Sequence, residues 1–201
     1  RGVDVSRGTA WAVVVLFGLA VWGALQLDGH ITAVPASAPR ALRPEEPVYT
    51  VPVEERILSF AVNVDWGSEW LPAMLDLFDE RDVKVTFFPT GRWAELEPEL
   101  VKELVRRGHE LGNHGYRHDH PKQLDDASLR AHISRSRDLL AELTGVATRL
   151  YAPPYGEVDG RIARIAAELG HWTIMWTLDT IDWQRPAPEV IVRRVVPRAQ
   201  P

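Results

Sequence analysis

From residue 57 onward, short β-forming runs alternate with amphipathic stretches of helical length, and this alternation restricts the architecture more than any other feature. Ile57–Val64 is an apolar run rich in β-formers, and Trp70–Glu80 carries Leu71, Met74, Leu75 and Phe78 at helical spacing. Val83–Pro89 reads as the next strand. Pro98–Arg107 reads as a helix stopped by Gly108, and a short segment follows around Glu110–Leu111. Ser128–Leu143 is expected as a long helix with Leu129, Ile133, Leu140 and Leu143 on one face. Arg149–Ala152 and Trp172–Leu178 are expected strands, Asp159–Leu169 an amphipathic helix closed by Gly170, and Glu189–Val196 a last short helix. Strands separated by helices pair in parallel, and such units build barrels or doubly wound sheets, with polar chemistry at the C-terminal ends of the strands.

Ahead of this region, Thr9–Leu27 runs nineteen residues without a charge, within the roughly 17–25 needed to cross a hydrocarbon core. Trp11 and Trp22 lie toward its ends, and Arg1 and Arg7 precede it, so residues 1–8 are expected on the cytoplasmic side and the remainder outside. A cleaved signal peptide is the alternative. Ala36-Ser37-Ala38 resembles a cleavage site, but Pro39 follows it, and the apolar run exceeds the usual ~7–15 residues. Residues 28–56 are rich in Pro, Ala and Glu and read as a semi-rigid spacer. The chain of 201 residues has no cysteine, which excludes disulfides, thiolate metal sites and a cysteine nucleophile. Its net charge of −5 gives no reason to expect nucleic acid as a partner, and no protein partner is indicated.

Four of the seven histidines fall in GHELGNHGYRHDH, with His114 and His118 four residues apart. On a helical turn that spacing points both imidazoles the same way, a common divalent-metal clamp that also arises by chance on solvated loops. His109 and His120 are weaker candidates, and His109 reads as structural. Asn63-Val64-Asp65-Trp66-Gly67 ends the first strand with a carboxylate beside a glycine. Ala152-Pro153-Pro154-Tyr155-Gly156 and Asp179-Thr180-Ile181-Asp182-Trp183 follow two later strands.

In this order, NVDWG, VTFFPTGRWAE, HGYRH, APPYG and WTLDTIDW resemble the polysaccharide deacetylase family (carbohydrate esterase family four, with its NodB-like domain), in a divergent, sporulation-type form. The resemblance spans about residues 57–196. It implies a deformed (β/α)7 barrel, related to TIM barrels, and a metal-bound water that attacks the N-acetyl carbonyl of a cell-envelope polysaccharide. By position, Asp65 falls on the family's base, His114 and His118 on its metal-binding histidines, and the Tyr155 backbone amide on its oxyanion donor. Asp179, Asp182 and Trp183 fall on the motif that supports and lines the site. The expected metal set is Asp65, His114 and His118, holding a divalent ion, zinc ahead of cobalt, nickel or manganese, and Asp179 is a further catalytic candidate. Trp183, Pro154 and Trp66 are expected to touch substrate, and the remaining tryptophans to pack.

Three departures qualify this. Trp66 stands where the family has a metal-binding aspartate, and indole cannot ligate a cation. Ala152 stands where the family has an arginine, which is expected to remove a cation from beside Asp65. No histidine follows Trp183 to serve as general acid. The chain ends at Pro201 near where the strand carrying that motif would begin, so residues 57–201 are expected to form a domain incomplete at its C-terminus. Two readings remain open: a membrane-anchored hydrolase removing N-acetyl groups, or a catalytically impaired, glycan-binding relative.

Overall fold

The computed structural model describes residues 41–54 and 57–199, so the apolar run 9–27 and most of the spacer lie outside the described residues. The described residues from 41 onward form one compact unit. Among the described residues, no helix is long and apolar enough to cross a membrane.

Three strands, β1 (Ala61–Val64), β2 (Thr86–Pro89) and β3 (Glu110–Leu111), pair in parallel in that order. A second parallel pair, β4 (Leu150–Tyr151) and β5 (Trp172–Thr173), joins them through a bridge between Asn113 and Tyr151. There the Asn113 N–H donates to Leu150 O, and the Ala152 N–H donates to Asn113 O. The helices between strands are α1 (Leu71–Glu80), α2 (Gly91–Leu96), α3 (Pro98–Arg106), α4 (Asp126–Thr144) and α5 (Gly160–Glu168), with α6 (Pro188–Val195) after β5. The expected βα alternation is therefore present. β2 is buried along its whole length, as expected of a strand flanked on both edges and covered by helices.

Caps set the helix boundaries. Thr90 Oγ1 accepts from Trp93 N, Asp125 from Ser128 N and Asp159 from Ile162 N, each satisfying an otherwise orphaned first-turn donor. Gly145, at φ +72°, closes α4 in the left-handed conformation that favours glycine. One core cluster joins Leu71, Leu75, Phe87, Trp93, Leu104 and Leu140, and a second joins Leu129, Ile133, Tyr151, Ile162 and Ile165. His109 is structural, as expected: it is buried edge-on to Phe78 and Phe87.

Three local expectations change. α2 is an additional short helix that periodicity did not resolve, since six residues are too few to display a repeat. The last strand stops at Thr173 rather than Leu178. Its outer neighbour is Val48, from the segment read as spacer. Val48 N donates to Thr173 O, and Met175 N donates to Val48 O, in a single parallel bridge to Ile174. Pro47 and Pro52 lack the N–H a longer ladder would need. Residues 41–54 thus belong in part to the folded unit, with Val48 buried against β5.

Candidate functional site

β1 ends at Val64, and Asp65 follows immediately, its side chain 8% exposed. Thr90 Oγ1 donates to Asp65 Oδ1 at 3.0 Å, and Arg92 Nη2 reaches both carboxylate oxygens at 3.0 and 2.9 Å. The absence of an arginine at position 152 therefore does not leave Asp65 without a cation: Arg92, at the start of α2, provides one. This corrects the expectation drawn from Ala152. Sequence reading missed Arg92 because the pair is separated by 27 residues. The available signal was TGR directly after a strand, where strand-end side chains converge.

The stretch from Thr90 to Trp93 ties two loops together. Thr90 N donates to Val64 O and Trp93 Nε1 donates to Gly67 O, fixing the Asp65 loop. Gly91 N donates to Gly115 O and Arg92 N to Tyr116 O, fixing the histidine loop.

His114 and His118 lie on that loop, which is irregular rather than helical, yet their ring centroids are 5.0 Å apart. His114 is buried, with Nδ1 2.6 Å from Ala152 O, an arrangement that fixes the tautomer and leaves Nε2 for another partner. Burial pushes the His114 imidazole down to about 4, against the opposing pull of the Ala152 carbonyl. Burial also lowers His118, with Asp65 opposing and Arg92 reinforcing the shift. Both rings are therefore neutral near pH 7. Deeper in, burial lowers His132 on α4 to about 4, with Asp119 opposing.

These shifts carry a stability consequence. The unfolded imidazole titrates near 6.5. Between about pH 6.5 and 4 the unfolded chain binds protons that folded His114 and His132 refuse, so stability is complete above that window and lost as pH falls through it. The slope is about 1.4 kcal/mol per pH unit for each ring. Thermal unfolding scanned from pH 7 to pH 5 should show a falling midpoint, and a flat or rising one would contradict these burials.

His114, His118 and Asp65 were the expected metal set. The two imidazoles suit a metal, but the third donor does not, because both Asp65 oxygens are already engaged by Arg92. Trp66, at the next position, offers no donor. Among the described residues there is no group of three or more His, Cys, Asp or Glu able to hold a metal ion. The donor set present therefore does not fit the zinc site the resemblance implies.

The APPYG loop adds further parts. Tyr155 adopts φ +59°, a left-handed conformation that costs a non-glycine residue about 1–3 kcal/mol and is often found at functional loops. Its ring meets His118 edge-on at 4.4 Å and stacks on His120 at 3.8 Å between centroids, while His120 Nδ1 lies 2.9 Å from Glu157 Oε1. His120 is thus part of the cluster, although its position in the sequence gave little sign of it. Pro154 is buried, which corrects the expectation of a substrate contact: it supports the loop rather than offering a face.

The third loop is more exposed. Asp179 accepts from the Ile181 N–H and closes its own turn, and Thr180 Oγ1 donates to Asp182. Ile181 at φ +54° and Arg185 at φ +53° also adopt the left-handed conformation. Asp179 makes its hydrogen bond within its own loop rather than to Asp65 or either site histidine. Trp66 and Trp183 are each 62% exposed, available for contact with a ligand. Trp93 packs in the core as expected, whereas Trp70 does not pack and is exposed.

A family model described as polysaccharide deacetylase matches residues 52–174. The uncharacterized protein YlxY of Bacillus subtilis is 37% identical over 78% of this chain and 49% of its own length. A peptidoglycan-N-acetylglucosamine deacetylase of Bacillus cereus is 32% identical over 66% of this chain and 48% of its own. The chain thus spans about half the length of these curated relatives. A solved CE4-family pseudoenzyme from Bacillus anthracis superposes with a TM-score of 0.77 at 36% identity, covering 80% of this chain and 57% of that one. The ordered motifs, the parallel βα architecture and a match over most of the folded unit lead to one conclusion: the chain belongs to the polysaccharide deacetylase family.

Proposed function

We propose that this domain acts on N-acetylglucosamine units of a cell-envelope polysaccharide of peptidoglycan or chitin type, hydrolysing their N-acetyl groups. The observation that carries the reading is the sheltered Asp65 carboxylate, held by Arg92 and Thr90 and within electrostatic reach of His114 and His118. Asp65 Oδ2 accepts a hydrogen bond from Arg92 alone and keeps a lone pair for a water proton, whereas a metal cation there would meet the guanidinium charge. Water adds to the acetyl carbonyl carbon as Asp65 takes its proton, and the Tyr155 backbone N–H supports the oxygen on which charge develops. The C–N bond then breaks as protonated Asp65 returns that proton to the nitrogen, and acetate and a free amino sugar result. Trp183 and Trp66 supply aromatic faces for the flanking sugar rings. The uncharged run 9–27 supports placement outside the cytoplasmic membrane, with that segment as its anchor.

A second reading is glycan binding without turnover. Trp66 favours it, since the family's carboxylate ligand is missing there, and so does the likeness to a structure described as a pseudoenzyme.

Acetate release from chitotetraose and from peptidoglycan, measured together with binding of the same glycans, separates the two readings. Hydrolysis predicts acetate from the wild-type chain and a loss of at least about 100-fold in Asp65→Asn, with binding retained. Binding with no acetate from wild type selects the second reading, and neither binding nor acetate contradicts both.

A further inference from the structure

We propose that Arg92 is the positioning residue for Asp65, supplying from the start of α2 the cation that the APPYG motif lacks at Ala152. The role rests on Asp65 being the base of the site. Exposed ion pairs contribute little to stability, and Arg92 alone, half exposed, could be dismissed as one. The Asp65 side chain, however, is only 8% exposed and has a second partner in Thr90. The Arg92 backbone is itself fixed: its N–H donates to Tyr116 O at 2.8 Å, and the neighbouring Gly91 N–H donates to Gly115 O at 2.9 Å. Trp93 Nε1 donates to Gly67 O at 2.8 Å on the other side. The guanidinium is thus anchored to the histidine loop and grips the carboxylate on the Asp65 loop, so it sets one relative to the other.

The contact is made by a single nitrogen. Arg92 Nη2 spans both Asp65 oxygens, and no second guanidinium nitrogen bonds to the carboxylate. A lysine ammonium can therefore take its place, which would not hold for a two-nitrogen fork. Arg92→Lys should preserve the arrangement and Arg92→Gln should lose it, although both remove the same half-exposed side chain from the surface.

The test uses the full chain labelled with 13C at aspartate carboxyls, with the Asp65 resonance identified by its disappearance in Asp65→Asn. Arg92→Gln should shift that resonance and lower acetate release from chitotetraose about 10–100-fold while KM changes less than about threefold. Arg92→Lys should return both toward wild type. An Asp65 resonance unmoved in Arg92→Gln overturns the proposal. So does a shifted resonance with unchanged turnover, and so does failure of lysine to restore what glutamine lost. If wild type releases no acetate, the hydrolytic reading falls. Arg92 is then decided by the resonance alone: a shift in the glutamine variant reversed by lysine sustains its hold on Asp65, and anything else overturns it.

Discussion

Gly115→Ala is expected to destabilise the domain by at least about 3 kcal/mol, lowering its unfolding midpoint by roughly 10 °C. Two causes add. Gly115 sits at φ +78°, where an L side chain costs about 1–2 kcal/mol. A methyl group there would also come within 1.8 Å of His132 Nε2 and 2.5 Å of its Cδ2. His132 is buried on α4 and cannot swing into solvent, so the loop itself must move. That loop carries His114 and His118, and the Gly115 carbonyl accepts the Gly91 N–H, so displacement also loosens the hold on Asp65. Gly145→Ala is the control. Its φ is +72°, but nothing lies within 4 Å of the added carbon, so it should cost only the backbone penalty of about 1–2 kcal/mol. Equal costs at the two positions would show that His132 does not press on the loop.

Trp66→Asp is expected to raise zinc affinity at least about 100-fold, a gain of about 2.7 kcal/mol. The wild-type donor set is two imidazoles and a carboxylate already held by Arg92, one protein ligand short of the three that typical catalytic zinc sites use. An aspartate next to Asp65 supplies the third without releasing Asp65 from Arg92. Competition against a chromogenic chelator reads the change, and adding His114→Ala to the Trp66→Asp chain should erase it. An unchanged affinity, or tight zinc binding by wild type that survives Asp65→Asn, would refute the view that position 66 limits the metal.

Much of this was legible in the sequence because it depends on local rules. Helices α1, α3, α4 and α5 begin and end within about two residues of where periodicity, capping residues and glycine stops put them. The pairing of His114 with His118 was legible too, although the expected helical turn is an irregular loop and tertiary contacts bring the rings together instead. What escaped depends on long-range contact. Arg92 meets Asp65 across 27 residues, and His120 meets Glu157 across 37. Local pattern cannot show either. Val48 illustrates the opposite failure, since a proline-rich segment with spacer composition still places one valine against the sheet edge at a bridge flanked by prolines.

In the proposed reaction, the loops after β1, β3 and β4 close around one N-acetyl group. A crystal structure of the full chain with chitotetraose, in the Asp65→Asn variant to prevent turnover, tests it most directly. An acetyl carbonyl oxygen is expected within hydrogen-bond distance of the Tyr155 N–H and its carbonyl carbon facing residue 65, with His118 alongside. A glycan bound elsewhere, leaving residue 65 and Tyr155 untouched, would contradict it.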